Sequence, residues 1–151
     1  MRVVAALLEQ EGRYAFILRS NPPFEGRLGL IGGRVEDQED YDEAIVREIH
    51  EETGCQASAE RIGTITIHYE GYGSSIHALY RAHTSDAPRT TEPSEGEIVL
   101  FTDHEVLSHP KLHAFTKRVV ELLIAGEPFT GSASIGPGPE YPIDDFTLET
   151  R

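Results

Sequence analysis

The chain has 151 residues and carries 13 Lys and Arg against 26 Asp and Glu, a formal net charge of −13. That length suits one domain with a real core, and so acidic a chain is excluded as a tracker of nucleic-acid polymers, which need a basic surface. Cys55 is the single cysteine, so no intrachain disulfide can form and a reducing, cytoplasmic setting is expected.

The opening apolar run, residues 3–8, is too short for a signal segment, and no stretch is long enough to span a bilayer. Residues 2–10 are β-rich, residues 11–13 turn, and residues 14–19 alternate again, which predicts a hairpin. Asn21-Pro22-Pro23 breaks it. Gly26 and Gly29 then lead into a short strand over 28–31, followed by the pair Gly32-Gly33 and a polar turn. A helix is predicted from about Asp40–Tyr41 to Thr53, stopped by Gly54, a residue suited to the left-handed conformation at a helix C-terminus. Ala44, Ile45 and Ile49 form an apolar stripe that should lie on a core.

The other face of this helix carries the chemistry. Glu48, Glu51 and Glu52 stand at i, i+3 and i+4, so three carboxylates share one side. Like charges at that spacing cost roughly 0.2–0.5 kcal/mol per pair, and carboxylates in a last turn face the negative end of the helix dipole. Arg47 relieves part of this by pairing with Glu43 or Glu51, one turn away on either side. A hard divalent cation such as Mg²⁺ or Mn²⁺ would relieve far more, because it binds carboxylate oxygens and keeps positions open for phosphates.

Residues 33–55 resemble the Nudix box, G-x5-E-x7-R-E-U-x-E-E-x-G-U with U a bulky aliphatic residue. Gly33 opens it, Glu39 follows after five residues, and Arg47-Glu48-Ile49-His50-Glu51-Glu52-Thr53-Gly54 comes after seven more. Seven specified positions match by chance on the order of once in 10⁸ starting points. Cys55 stands at the last U, a small apolar residue in a packing position. The resemblance implies an α/β fold, an α/β/α sandwich on a mixed sheet, with the box helix on one face and a later helix on the other. It implies hydrolysis of a nucleoside diphosphate linked to another moiety. It also implies metal ligation by Glu48, Glu51 and Glu52, with Glu39 assisting and the Gly32 carbonyl contributing. Arg47 would orient a box glutamate.

Residues 57–70, with Ile62, Ile65 and Ile67, form the next expected strand. A turn over 71–74 leads to its return over 75–84, with Ile76, Ala78 and Tyr80. His68, Tyr69, Tyr72 and His77 lie between or near them as base-contact candidates, although such residues are more often core or rim. Family members that cleave dinucleoside polyphosphates carry a tyrosine about as far beyond the box as Tyr72. The polar loop 85–96 offers Glu92, Glu95 and Glu97, and long loops in compact domains tend to be functional or mobile. Many Nudix hydrolases draw a further metal ligand or the general base from this loop. Glu97, directly before the apolar strand 98–101, is the first candidate and Glu95 the second; Glu51 and Glu97 are the candidate bases.

Residues 102–107 predict a capped helical turn ended by His109-Pro110. Leu112, Phe115, Val119, Leu122 and Leu123 then mark a packing helix over 112–125. Gly126-Glu127-Pro128 closes a domain spanning 1–128. Residues 129–151 form an extension rich in Gly, Pro and Ser, with Glu140, Asp144, Asp145 and Glu149 against Arg151. Three dispositions stay open for it: disordered, packed across the cleft, or reaching a partner subunit. The expected partner is a small nucleotide-derived pyrophosphate: a nucleoside triphosphate first, then ADP-ribose, then a dinucleoside polyphosphate. A homodimer is expected by family analogy alone. The rival classes are a non-catalytic nucleotide-binding module and an acidic solubilising surface, neither of which would show metal-dependent turnover.

Overall fold

A computed structural model of the chain describes residues 1–22, 24–137 and 142–150, with Asp144 described by its backbone only. Pro23, Glu140 and Arg151, named above for the chain break and the acidic tail, lie outside the described residues.

Period-2 alternation in the first strand sets the plan. Along β1 (Arg2–Gln10), Val4, Ala6 and Leu8 point to one side of the sheet while Ala5 and Leu7 point to the other. The same division holds along β2 (Arg13–Arg19), where Ala15 and Ile17 oppose Phe16. Both faces therefore need cover, and each gets a helix. α1 (Tyr41–Thr53) buries Ala44, Ile45 and Ile49 on the first face. α2 (Asp103–Leu107) and α3 (Ala114–Ala125) bury Val106, Phe115, Val119 and Leu123 on the second. Each fully buried Ile or Leu in these layers contributes about 1.5–3 kcal/mol. The architecture is the expected α/β/α sandwich.

Among the described residues, nine strands make one mixed sheet. The others are β3 (Leu28–Gly29), β4 (Ile31–Arg34), β5 (Ser58–Tyr69), β6 (Gly73–His83), β7 (Gly96–Phe101), β8 (Phe129–Ile135) and β9 (Ile143–Thr150). The order is β3-β2-β1-β6-β5-β8-β9, with β4 also on β1 and β7 on β2. β1–β6 and β5–β8 run parallel and the other pairs antiparallel.

The strand expected over 28–31 is split in two, and the glycine pair lies inside β4, paired with Val4 and Ala5, instead of in a turn. Neither glycine has positive φ. They are needed for close approach: a Cβ at Gly32 would fall on the Val4 carbonyl, and one at Gly33 on the Glu48 carboxylate. At the other end of the chain, β8 joins β5, and Phe129 is buried over Gly63, where a Cβ would collide with its ring. Among the described residues, no helix is long and apolar enough to cross a membrane.

Candidate active site

α1 is set by local rules at both ends. Asp40 caps it by accepting from Glu43 N–H at 2.7 Å while the Glu43 carboxylate accepts from Asp40 N–H, a reciprocal capping box. Gly54 closes it at φ 76°. Glu43 is thereby committed to the cap, and Arg47, expected to pair with Glu43 or Glu51, turns toward Glu51 and the preceding loop. Its Nε and Nη2 donate to the two carboxylate oxygens of Glu39 at 2.7 and 2.9 Å. Its Nη1 donates to Glu48 at 3.0 Å and Glu51 at 3.1 Å, and Nη2 also reaches the Arg34 carbonyl at 3.0 Å. One guanidinium thus ties three box glutamates and the end of β4 together, a use of its planar fork that lysine could not reproduce.

The electrostatics follow from this geometry. The Arg47 bonds, with an N–H from Glu36, hold the Glu39 carboxyl down at about 2. Burial drives Glu48 upward despite Arg47. Glu52 is pushed up to about 8, first by burial, then by the charge of Glu48, with Glu92 adding to it; a hydrogen bond from Gly32 N–H at 3.2 Å and the charge of Arg19 oppose the shift. Glu52 is a carboxylate short of positive charge, and Glu48 is a buried one that Arg47 only partly offsets. Among the described residues, no three His, Cys, Asp or Glu side chains already converge as a ready-made metal cage; Arg47 holds the oxygens of Glu39, Glu48 and Glu51. An all-carboxylate set with Glu52 raised to about 8 fits a hard divalent cation that brings its own waters.

A stability prediction follows. In metal-free protein, a Glu52 pKa raised from 4.5 to about 8 means that the folded state binds more protons than the unfolded one between those values. Stability from this group is therefore full below pH 4.5 and is lost as pH rises through 8. Melting followed by circular dichroism should give a lower Tm at pH 8.5 than at pH 6 without metal. Added Mg²⁺ should raise Tm more at the higher pH, since it binds the ionised carboxylates of the folded state. A Tm that rises with pH in the absence of metal would contradict this.

Of the loop acids, Glu92 is the one whose charge acts on Glu48 and Glu52. Glu97, expected first, sits elsewhere. It pairs with Leu18 in the β2–β7 ladder, and its same-face neighbours Val99 and Phe101 pack on the α3 side, while Ile98 and Leu100 pack on the α1 side. Alternation therefore turns Glu97 away from the face that α1 covers. Glu95 is exposed, and its carbonyl accepts from Ser20 N–H at 3.1 Å. Loop 85–95 is stitched onto the C-terminal end of α1. Arg89 N–H donates to the Thr53 carbonyl at 3.1 Å, the Thr91 hydroxyl donates to the Glu51 carbonyl, and Asp86 accepts from Gln56 N–H at 2.9 Å. Cys55 is fully buried against α1, in keeping with a packing role.

On the α3 side lies a cavity of about 160 Å³ with apolar walls from Ile67, Phe115 and Ile135 and polar groups from Arg27, His77, His113 and Thr116. Arg19 lines it, and its charge also acts on Glu52. Of the four base-contact candidates, Tyr69 and His77 line this cavity. His68 pairs with Ser74 at the β5–β6 turn, and Tyr72 is 91% exposed there. The helix expected only to pack, α3, contributes its first turn to the wall. Its cap residue His113 carried no motif signal and was missed, as were Arg19 and Arg27.

A family model described as NUDIX domain matches residues 1–123. The CTP pyrophosphohydrolase of Escherichia coli is 29% identical over 114 residues, which cover 73% of this chain and 82% of that protein. The ADP-ribose pyrophosphatase of Methanocaldococcus jannaschii is 47% identical over 51 residues, covering 34% of this chain and only 30% of that protein. A crystal structure of a MutT protein from Bacillus halodurans superposes with a TM-score of 0.83 over 98% of this chain and 97% of the other; at 21% identity it is a likeness of fold.

Proposed function

The chain belongs to the Nudix family, whose domain model covers residues 1–123, and from that premise we propose that it is a Mg²⁺- or Mn²⁺-dependent pyrophosphohydrolase of nucleoside triphosphates. The observation that supports this reading is the grouping of Glu39, Glu48 and Glu51 on Arg47, with Glu52 held by Gly32 N–H and subject to the charges of Glu48, Glu92 and Arg19, the last of which also lines an apolar cavity. The base would lie in the cavity and the phosphates would run past Arg19 toward the carboxylates.

Water attacks one phosphorus, the bond from that phosphorus to the bridging oxygen breaks, and nucleoside monophosphate and pyrophosphate leave. A bound divalent ion would neutralise phosphate oxygens and lower the pKa of the attacking water. Glu48, Glu51 and Glu52 would hold it, with the Gly32 carbonyl as a further ligand. Gly32 N–H fixes Glu52 at 3.2 Å. Glu39 acts through Arg47, whose five donors keep Glu48 and Glu51 in register. The proton from the attacking water passes to a carboxylate at the exposed rim of the cluster, Glu51 or Glu92, a role in which general bases contribute about 10²–10⁴-fold.

The test is incubation with Mg²⁺ and a panel of nucleoside triphosphates, ADP-ribose and diadenosine polyphosphates, with products separated by chromatography. Monophosphate and pyrophosphate should appear from a triphosphate. Glu92→Gln should lower kcat by about 10²-fold, whereas Glu97→Gln should stay within about twofold, as for a solvated surface acid. Turnover of no compound with either metal, or a loss confined to Glu97→Gln, would sink this assignment.

A further inference from the structure

His113 is the N-cap of α3, and its Nδ1 accepts the Phe115 N–H at 3.0 Å. An imidazole nitrogen that accepts carries no proton, so the ring is neutral and its hydrogen sits on Nε2. Burial and the nearby charge of Arg27 both disfavour the doubly protonated ring, in agreement with that tautomer. The second nitrogen of this cavity-lining ring is thus a fixed N–H donor. The rest of the lining has the same bias. Arg27 offers only donors, and His77 is engaged through Nε2 with the Ser75 hydroxyl at 2.7 Å. Among the described residues, the lining holds no carboxylate or carboxamide, so its side-chain acceptors are confined to the Tyr69 and Thr116 hydroxyls and one nitrogen of His77.

A donor-rich wall rewards a ligand edge that carries carbonyl oxygens, and most of all one that meets a guanidinium. A base without a carbonyl oxygen meets these donors only with ring nitrogens or leaves them unpaired, and an unpaired buried donor loses its water without replacement. We infer that His113 determines base specificity, its Nε2–H and the Arg27 guanidinium selecting nucleobases that present a carbonyl oxygen (cytosine, uracil, guanine) over adenine, which has none. This rests on the reading that the cavity takes the base. It adds the residue and the chemical class.

The N-cap supplies a clean test, because Asp and Asn both cap well and should keep α3 folded. His113→Asp places acceptors where the donor was, and His113→Asn retains an amide donor. In wild type, kcat/KM for CTP, UTP and GTP should exceed that for ATP by about tenfold or more, the worth of one hydrogen bond in a closed site. His113→Asp should erase or reverse that ratio and His113→Asn should keep it, with circular dichroism unchanged in both. Calorimetric binding of CMP, UMP and GMP against AMP reads the same preference without chemistry, so it decides the point even if no triphosphate is hydrolysed. Failure of hydrolysis with the monophosphate preference intact would count against the proposed reaction alone. Equal binding of the four monophosphates, or a ratio that His113→Asp leaves unmoved, would overturn the assignment of His113.

Discussion

Glu51→Gln is expected to lower kcat by about 10³-fold or more while leaving the fold intact, because it removes charge where a densely anionic pyrophosphate must be neutralised. Glu51 has a side chain 48% exposed, against 13% for Glu48. It therefore holds a carboxylate at the solvent rim, where in the proposed reaction substrate and hydrated metal would arrive. Its bond to Arg47, 3.1 Å at i, i+4, is a half-exposed pair worth at most about 1 kcal/mol, and glutamine can still accept it. Melting temperature should hardly move while turnover is lost. A variant that keeps turnover within tenfold of wild type, measured at saturating Mg²⁺ by pyrophosphate release, would remove Glu51 from the mechanism.

The second large effect separates two adjacent glycines. A Cβ at Gly33 would land on the Glu48 carboxylate, the free end of a flexible side chain. Gly33→Ala should therefore fold but expel Glu48 from its position beside Arg47, and misplacement of this kind costs about 10²-fold in rate. A Cβ at Gly32 would instead strike the Val4 carbonyl and the Ala5 backbone across the β1–β4 ladder. Backbone cannot step aside as a side chain can, so Gly32→Ala should cost about 3 kcal/mol of stability. Urea unfolding alongside kinetics distinguishes the two: an inactive but stable Gly33→Ala and a destabilised Gly32→Ala. The opposite pattern would mean that the two glycines serve the reverse of the roles assigned to them.

These two glycines also show where reading the chain reaches its limit. Their presence at the entrance of the box was legible, and so was glycine's use in letting main chain approach closely, but not the atoms they approach. In the folded chain both lie in a strand, and the reason for each is an atom far away in sequence, in β1 for Gly32 and in α1 for Gly33. Arg47 shows the same division. Its neighbour at i+4 was foreseeable from helical geometry, whereas its bidentate hold on Glu39 required the path of the loop from β4 to α1.

Local order determined a good deal by itself. Helical spacing alone grouped Glu48, Glu51 and Glu52 and marked Ala44, Ile45 and Ile49 as the packing set, while the fold showed Glu48 and Glu52 turned inward toward β4 beside that set. Asp40 and Gly54 set the ends of α1 through contacts within a few residues. Such features survive in a one-dimensional reading because the interactions that produce them join near neighbours. Tertiary structure decided how the loop acids lie relative to the cluster. The bonds of Arg89 and Thr91 to the end of α1 hold the loop there and the charge of Glu92 acts on Glu48 and Glu52, while strand alternation turns Glu97 to the opposite face. It also built the cavity, whose walls come from β2, β3, β5, β6, α3, β8 and β9, and it placed the cap residue His113 in that wall. No periodicity encodes that meeting, because segments so distant in sequence are brought together only when both faces of the sheet are buried.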